Sequence, residues 1–375
     1  MINPERLSRF FLELAHIESP SREEGEVARY LQEKFSALGA RCLFDDSAPK
    51  TGSQVGNLIV KWPAEANTPL LFMAAHMDTV KPTQNPRITL KNGVFRSDGR
   101  TVCGADDKSA LAIFLELVHV LKEQGLKYPL EFILTTCEEI GLLGAKHLNF
   151  DLVSAPFGYA WDSEDPHELI LRAPEAIRFQ IKVLGLAAHA GLNPEEGINA
   201  IQVAAHALTR VPLGRLDEET TANIGVIKGG TATNIVPEEV NLFGEIRAHD
   251  HQKLEKQWTV LVECFQAATS GPKKKDRPRV EFSREQDYPL MHVPEEHEVV
   301  RLAQRAASKL GHPLRLTSTG GGSDANIFNG QGLPCVICGT GMRRVHSTEE
   351  YLPLEDLIKA AKFCLQIVWE AGNAG

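Results

Sequence analysis

Two hydrophobic spacings alternate along the first part of the chain. Val27, Leu31, Phe35 and Leu38 recur at helical intervals after Ser21-Arg22-Glu23-Glu24, which reads as a capping box, and Gly39 stops the helix. Strand-like runs follow at 56–61 and 69–75, then an amphipathic helix over 107–124 and an apolar run of strand length over 129–136. Helices alternating with strands predict an α/β layer fold with a largely parallel sheet.

Near Ala173-Pro174 the order changes. The pattern predicts a strand (177–184), a helix (197–210), two strands (222–228 and 240–248), a helix (251–269) and a strand (279–284). That β-α-β-β-α-β order describes a ferredoxin-like unit over 174–286. The basic run Gly271-Pro272-Lys273-Lys274-Lys275 within it reads as a solvated loop. A helix (295–310), strands (314–318 and 334–338) and an amphipathic helix (353–371) then complete the first pattern. The sheet domain is thus expected to be discontinuous, 1–173 with 287–375. A chain of 375 residues exceeds what one core usually serves.

The formal net charge of -9 argues against nucleic acid or an anionic membrane as partner and suits a small molecule or peptide. The start, Met1 to Arg6, has no basic region leading into an apolar stretch, and no later run approaches the ~20 apolar residues of a membrane span. A cytoplasmic chain is expected. Its seven cysteines read as reduced thiols, and Cys335-Val336-Ile337-Cys338 as part of a buried strand.

Candidate chemistry gathers where predicted strands end. His76 and Asp78 follow the run 70–75, at the strand edge where open α/β sheets place ligands. One could ligate a metal while the other orients the imidazole, although such a pair alone suits a plain strand end equally well. Asp106 and Asp107 open the second long helix, where acidic residues also serve as caps. Glu138 and Glu139 stand side by side after 130–136, a costly placement unless a cation or proton compensates. Asp162 follows 157–161, and His346 sits in a loop beyond Gly339 and Gly341. Two imidazoles and three carboxylates suit a pair of zinc-like ions. One bridging carboxylate and two further ligands per ion use all five, leaving Glu138 where a general base is needed.

The ordered set Ala75-His76-Met77-Asp78, Gly104-Ala105-Asp106-Asp107-Lys108, Glu138-Glu139-Ile140-Gly141, Trp161-Asp162 and Val345-His346-Ser347 resembles the M20 metallopeptidase family, most closely its peptidase T (tripeptide aminopeptidase) branch. The resemblance implies a zinc-peptidase-like three-layer α/β/α catalytic domain with an inserted lid, and leaves room for a homodimer through that lid. It implies two zinc ions per subunit, with cobalt or manganese as substitutes. Asp106 would bridge them, with His76 and Asp162 completing one site and Glu139 and His346 the other. Asp78 would orient His76, and Glu138 would move the proton from water to the leaving amine. A cis peptide between Asp106 and Asp107 is also implied.

Within the insert, Ala187-Ala188-His189-Ala190-Gly191 resembles the motif of a histidine that stabilises the oxyanion. Asn234 and Arg247 match positions that hold the substrate backbone or carboxylate. Gly322 and Ser323 fall in a loop framing the pocket, and Ser323 also reads as a helix cap. The implied reaction is removal of the N-terminal residue from short peptides. An aspartate at position 162 favours that over an N-acyl amino-acid deacylase or a carboxypeptidase. Trp161-Asp162-Ser163-Glu164-Asp165 carries less glycine than peptidase T, which loosens the expectation of strict tripeptide specificity. A non-catalytic peptide binder would lack a ligand or Glu138, and neither is missing.

Overall fold

The computed structural model describes residues 1–64, 70–270, 274–311 and 314–373. Pro69, the first residue of an expected strand, and Gly271 to Lys273 of the basic run lie outside them. The chain forms two compact units. One comprises Met1–Arg172, Met291–Ser318 and Ser323–Gly375, the other Ala173–Leu290 and Thr319–Gly322.

In the first unit four parallel strands form the centre of a nine-stranded sheet, in the order Leu130–Thr135, Leu71–His76, Gly158–Ser163, Cys335–Gly339. Leu130–Thr135 and Leu71–His76 are buried throughout, because layers cover both faces. On one face Phe35 and Phe114 pack against Phe132 at 5.2 and 5.3 Å between ring centroids. On the other, Phe72 meets Phe328 edge-on at 5.5 Å. Beyond this centre the sheet is mixed, with Arg315–Ser318 still parallel to Glu168–Ala173. Arg41–Phe44, Leu58–Trp62 and Glu168–Ala173 pair antiparallel. Antiparallel pairing needs no crossover helix, so strands added at the margins of the parallel centre can run in either sense.

Local signals mislead at two helix starts. The helix after Ser21 begins only at Gly25, and Glu24 precedes it with no side-chain cap. The Ser21 hydroxyl instead donates to Asp78 Oδ2 at 2.7 Å. The helix expected from 295 starts at Glu298, where His297 Nδ1 accepts the Val299 amide. A further helix, Pro4–Ala15, stands at the start, capped by the Asn3 side chain. Cys335 and Cys338 lie on a fully buried strand, and burial pushes both thiols up.

The second unit is an antiparallel five-stranded sheet in the order Gly214–Arg215, Thr220–Gly229, Glu239–Ala248, Glu175–Leu184, Arg279–Tyr288. With helices Ala200–Leu208 and His251–Ala268, and apart from the two-residue strand Gly214–Arg215, the chain order is the expected β-α-β-β-α-β. Ile177, Phe179, Ile181 and Val183 alternate inward from the strand Glu175–Leu184, joined by Val240, Leu242, Leu261 and Phe265. Gly244 lies under the Phe179 ring, where a Cβ would stand 2.4 Å from it.

Two consequences for stability follow from buried contacts in the first unit. A Cβ on Gly158 would lie 2.3 Å from the Phe72 carbonyl oxygen and 2.4 Å from its ring. Gly158→Ala is expected to cost about 1–3 kcal/mol through overpacking, read as a lower denaturation midpoint at unchanged slope. Fully buried Glu116 accepts the Asn3 amide at 2.7 Å and Arg6 Nε at 2.5 Å, tying the first helix to Ala105–Glu123. Glu116→Ala leaves the Asn3 amide without its acceptor and Arg6 to its remaining pair with Glu123, and should cost roughly 1–3 kcal/mol; a loss below about 0.5 kcal/mol in chemical denaturation would contradict this role.

Candidate metal centre

The carboxyl ends of the four central parallel strands carry most of the candidate ligands. His76 is the last residue of Leu71–His76, and Asp162 lies in Gly158–Ser163. Glu138 and Glu139 follow Leu130–Thr135, and His346 follows Cys335–Gly339. Asp106 comes from the start of Ala105–Glu123, where Asp106 and Asp107 depart from helical dihedrals and are joined by a cis peptide.

These side chains converge on the two oxygens of Asp106. His76 Nε2 lies 3.0 Å from Asp106 Oδ1, and Asp162 Oδ1 is 3.9 Å from the same nitrogen. His346 Nε2 lies 3.2 Å from Asp106 Oδ2 and 2.9 Å from Glu139 Oε2. One carboxylate thus faces an imidazole on each oxygen, with one further carboxylate beside each ring. Two trios, His76/Asp106/Glu139 and His76/Asp107/Asp162, place ligand atoms within 4.8 Å of one another. Asp107 was expected only as a helix opener. It is fully buried, accepts the His76 amide at 3.2 Å through Oδ2, and leaves Oδ1 without a partner. Oε1 of Glu139 is likewise buried without a partner.

The electrostatics follow from this crowding. Burial, with neighbouring carboxylates, holds Asp107, Glu138 and Asp162 well above the usual carboxyl range and raises Glu139. Asp106 goes the other way: its burial is outweighed by His346 and His76, which hold it low. His346 is pushed up to about 10 by hydrogen bonds to Asp106 and Glu139. Burial opposes the charged form of His76, but Asp106 and Asp78 raise it well above the ordinary imidazole value. Uncompensated, the carboxylates repel one another; divalent cations between them would remove that cost. A donor set of imidazole nitrogens and carboxylate oxygens, with two buried oxygens unpartnered, fits such ions.

Asp78 is less simply an orienter of His76 than the spacing implies. His76 Nδ1 lies 2.9 Å from the Asp78 carbonyl oxygen and 3.5 Å from its carboxylate. The carboxylate chiefly accepts from the amides of Glu138, at 3.0 Å, and Glu139, at 3.2 Å, and from Ser21. It therefore fastens the acidic pair to the strand end that carries His76. Glu24, read beforehand only as part of a cap, is fully buried and accepts the Cys137 amide at 3.0 Å and the Ser53 hydroxyl at 2.5 Å. It holds Cys137 in a left-handed conformation, φ 54°, immediately before Glu138. Asp324, buried at the head of its helix, accepts the Thr135 hydroxyl and is pushed up to about 6, chiefly by burial. Neither signal was legible locally, since the partners lie far along the chain.

In the second unit His189 is exposed, and its Nδ1 accepts the amides of Gly191 and Leu192, both at 3.2 Å. The Ala190 amide donates to the Asn234 carbonyl at 2.9 Å, pairing those two loops. Arg247 forms a forked pair with Glu245, Nε–Oε1 2.9 Å and Nη2–Oε2 3.1 Å, and sits 5.9 Å from the Tyr288 ring centroid. Gly322 lies against that ring, where a Cβ would stand 2.4 Å from it. In the first unit Ser323 caps the helix Asp324–Gly330 in a reciprocal capping box with Asn326.

The family model for peptidase family M20/M25/M40 matches residues 72–370. An uncharacterised protein of Bacillus subtilis (strain 168), YqjE, is 40% identical over the whole of both chains. The crystal structure of aminopeptidase PepT from Bacillus cereus ATCC 10987 is 39% identical, with a TM-score of 0.90 over 99% of each chain. A tripeptidase from Staphylococcus aureus subsp. aureus mu50 is 39% identical, with a TM-score of 0.92 over 99% of this chain and 100% of that one. On its sequence and its fold, this chain belongs to the M20/M25/M40 peptidase family.

Proposed function

We propose that this chain is a di-zinc aminopeptidase that removes the N-terminal residue from short peptides, tripeptides foremost. The observation that carries the reading is Asp106 offering one oxygen to each of two histidines, with Glu138 held by Asp78 where its charge acts on His76. Likeness to the Bacillus cereus aminopeptidase and the Staphylococcus aureus tripeptidase supports the substrate class. His76 and Asp162 would hold one ion, Glu139 and His346 the other, and Asp106 both. When bound, the ions supply Lewis acidity and a water of lowered pKa.

The rest falls to the chain's own side chains. Glu138, its amide fixed by Asp78 and its carboxyl held high, takes the proton of the attacking water and delivers it to the leaving amine. The two amides on Nδ1 of His189 make that nitrogen an acceptor, so the neutral ring carries its proton on Nε2, a donor suited to an oxyanion. Asn234 holds the peptide backbone and Arg247 the substrate carboxylate. Glu245 already occupies one edge of that guanidinium, leaving Nη1, 3.4 Å from the Gly320 carbonyl, as the edge for a carboxylate. Gly322 and Ser323 shape the peptide site.

No helix among the described residues is long and apolar enough to cross a membrane. The buried free thiols Cys335, Cys338 and Cys364 support a cytoplasmic place of action. The part of strand Thr220–Gly229 beyond its pairing with Gly214–Arg215, where Val226 and Ile227 are exposed at 44% and 53%, supports a homodimer formed along that edge.

Glu138→Gln is expected to retain metal and peptide while turnover falls at least about 100-fold, the scale of a lost general base. Wild-type turnover would remove Glu138 from this role. Zinc-loaded enzyme offered a free tripeptide, its N-acetylated form and an N-acetyl amino acid should cleave only the first. Cleavage confined to the blocked compounds would instead identify a deacylase. Chelation should lower the unfolding midpoint and zinc restore it, with ions at 100 times their Kd contributing about 2.7 kcal/mol per site; an unchanged midpoint would contradict the di-metal reading.

A further inference from the structure

We propose that Glu350 is a positioning residue of the metal centre, its buried carboxylate clamping the Gly104–Asp106 turn to the loop that carries His346. The inference rests on the di-metal reading above. Glu350 is 2% exposed, and its Oε2 accepts the Gly104 amide at 2.7 Å while Oε1 accepts the Asp106 amide at 2.9 Å. Both amides lie at the start of Ala105–Glu123, where backbone donors lack partners within the helix. Gly104 takes a left-handed φ of 71°, and Asp106 has extended dihedrals, φ -84° and ψ 102°. The turn that aims the Asp106 side chain is therefore held by a carboxylate 244 residues away in sequence rather than by helical bonds.

The other end of the clamp is the His346 loop itself. Glu350 lies four residues after His346, and its own amide donates to the Ser347 carbonyl at 3.1 Å. Arg343 and Tyr351 close the base of this loop, exchanging amide and carbonyl at 3.0 Å in both directions. Within it Arg344 and His346 hold left-handed dihedrals, φ 54° and 60°. One carboxylate thus sets both the backbone that aims Asp106 and the loop that brings His346 to it. Two amide donors converging on one side chain require two acceptor oxygens. Glutamine supplies one and turns an NH2 group toward the other N–H, so an isosteric substitution removes the clamp while leaving the packing.

The test compares wild type, Glu350→Gln and, as a control at an exposed position, Glu355→Gln. Zinc affinity is measured by competition with a chromophoric chelator, and cobalt loading by its visible spectrum. Glu350→Gln should keep the far-UV circular dichroism of wild type, lose about 10–100-fold in metal affinity, and change the cobalt spectrum. Glu355→Gln should match wild type in all three. A folded Glu350→Gln protein with wild-type affinity and an unchanged spectrum overturns the proposal. So that a variant failing to fold does not decide the matter, amide exchange is followed in the metal-free wild type. Protection at Gly104 and Asp106 is expected, and exchange there at the rate of an unstructured peptide overturns the clamp. Should wild type itself bind no divalent ion, the di-metal reading fails rather than this inference alone.

Discussion

Like charges crowded at one edge of a buried sheet set the terms for the first unit. Asp106, Asp107, Glu138, Glu139 and Asp162 stand together where the parallel strands end, with two imidazoles between them. Such a group is costly in a low-dielectric setting, and a fold keeps it only where the charge is put to use. The surrounding protein must hold these side chains together against their repulsion. Much of its local structure serves that end.

The holding is done largely by carboxylates that accept backbone amides. Asp78 accepts the Glu138 and Glu139 amides, Glu24 the Cys137 amide, and Glu350 the Gly104 and Asp106 amides. Each takes backbone donors of an irregular segment that has no sheet or helix partner. Charge-assisted bonds of this kind are stronger than neutral ones. The loops behind the site therefore adopt left-handed or extended backbone, as at Cys137 and Asp106, while their buried amides find acceptors. Neutral side chains add to the same bracing: Asn57 donates to the Gly144 carbonyl and accepts the Thr136 amide across the turn that carries the acidic pair.

The second unit works by a different balance. Its core is an ordinary alternation of inward apolar residues, while the outward positions of one strand hold the Arg247–Glu245 fork. That pairing leaves one edge of the guanidinium, so a bound carboxylate would meet a charge already partly neutralised. In its loop the His189 Nδ1 accepts two backbone amides.

Much of this was legible in the order of residues. Helical and alternating periodicities located the main elements, because burial of one helix stripe or one strand face must appear as a repeat of 3.6 or 2. The residues that would bear the chemistry were legible too, since histidine and paired carboxylates at strand ends are informative by type and spacing. What stayed hidden depended on contacts between distant segments. Ser21 reads as a helix cap in its own neighbourhood but donates to Asp78, and the antiparallel pairs of the sheet follow from which strands the fold sets side by side. Glu24 and Glu350 look like any surface glutamate until the fold buries them beside amides 113 and 244 residues away. Sequence alone determined which side chains could serve. Tertiary structure decided which carboxylates face the imidazoles and which hold the loops, because that depends on whether an oxygen meets a ring nitrogen or a backbone N–H.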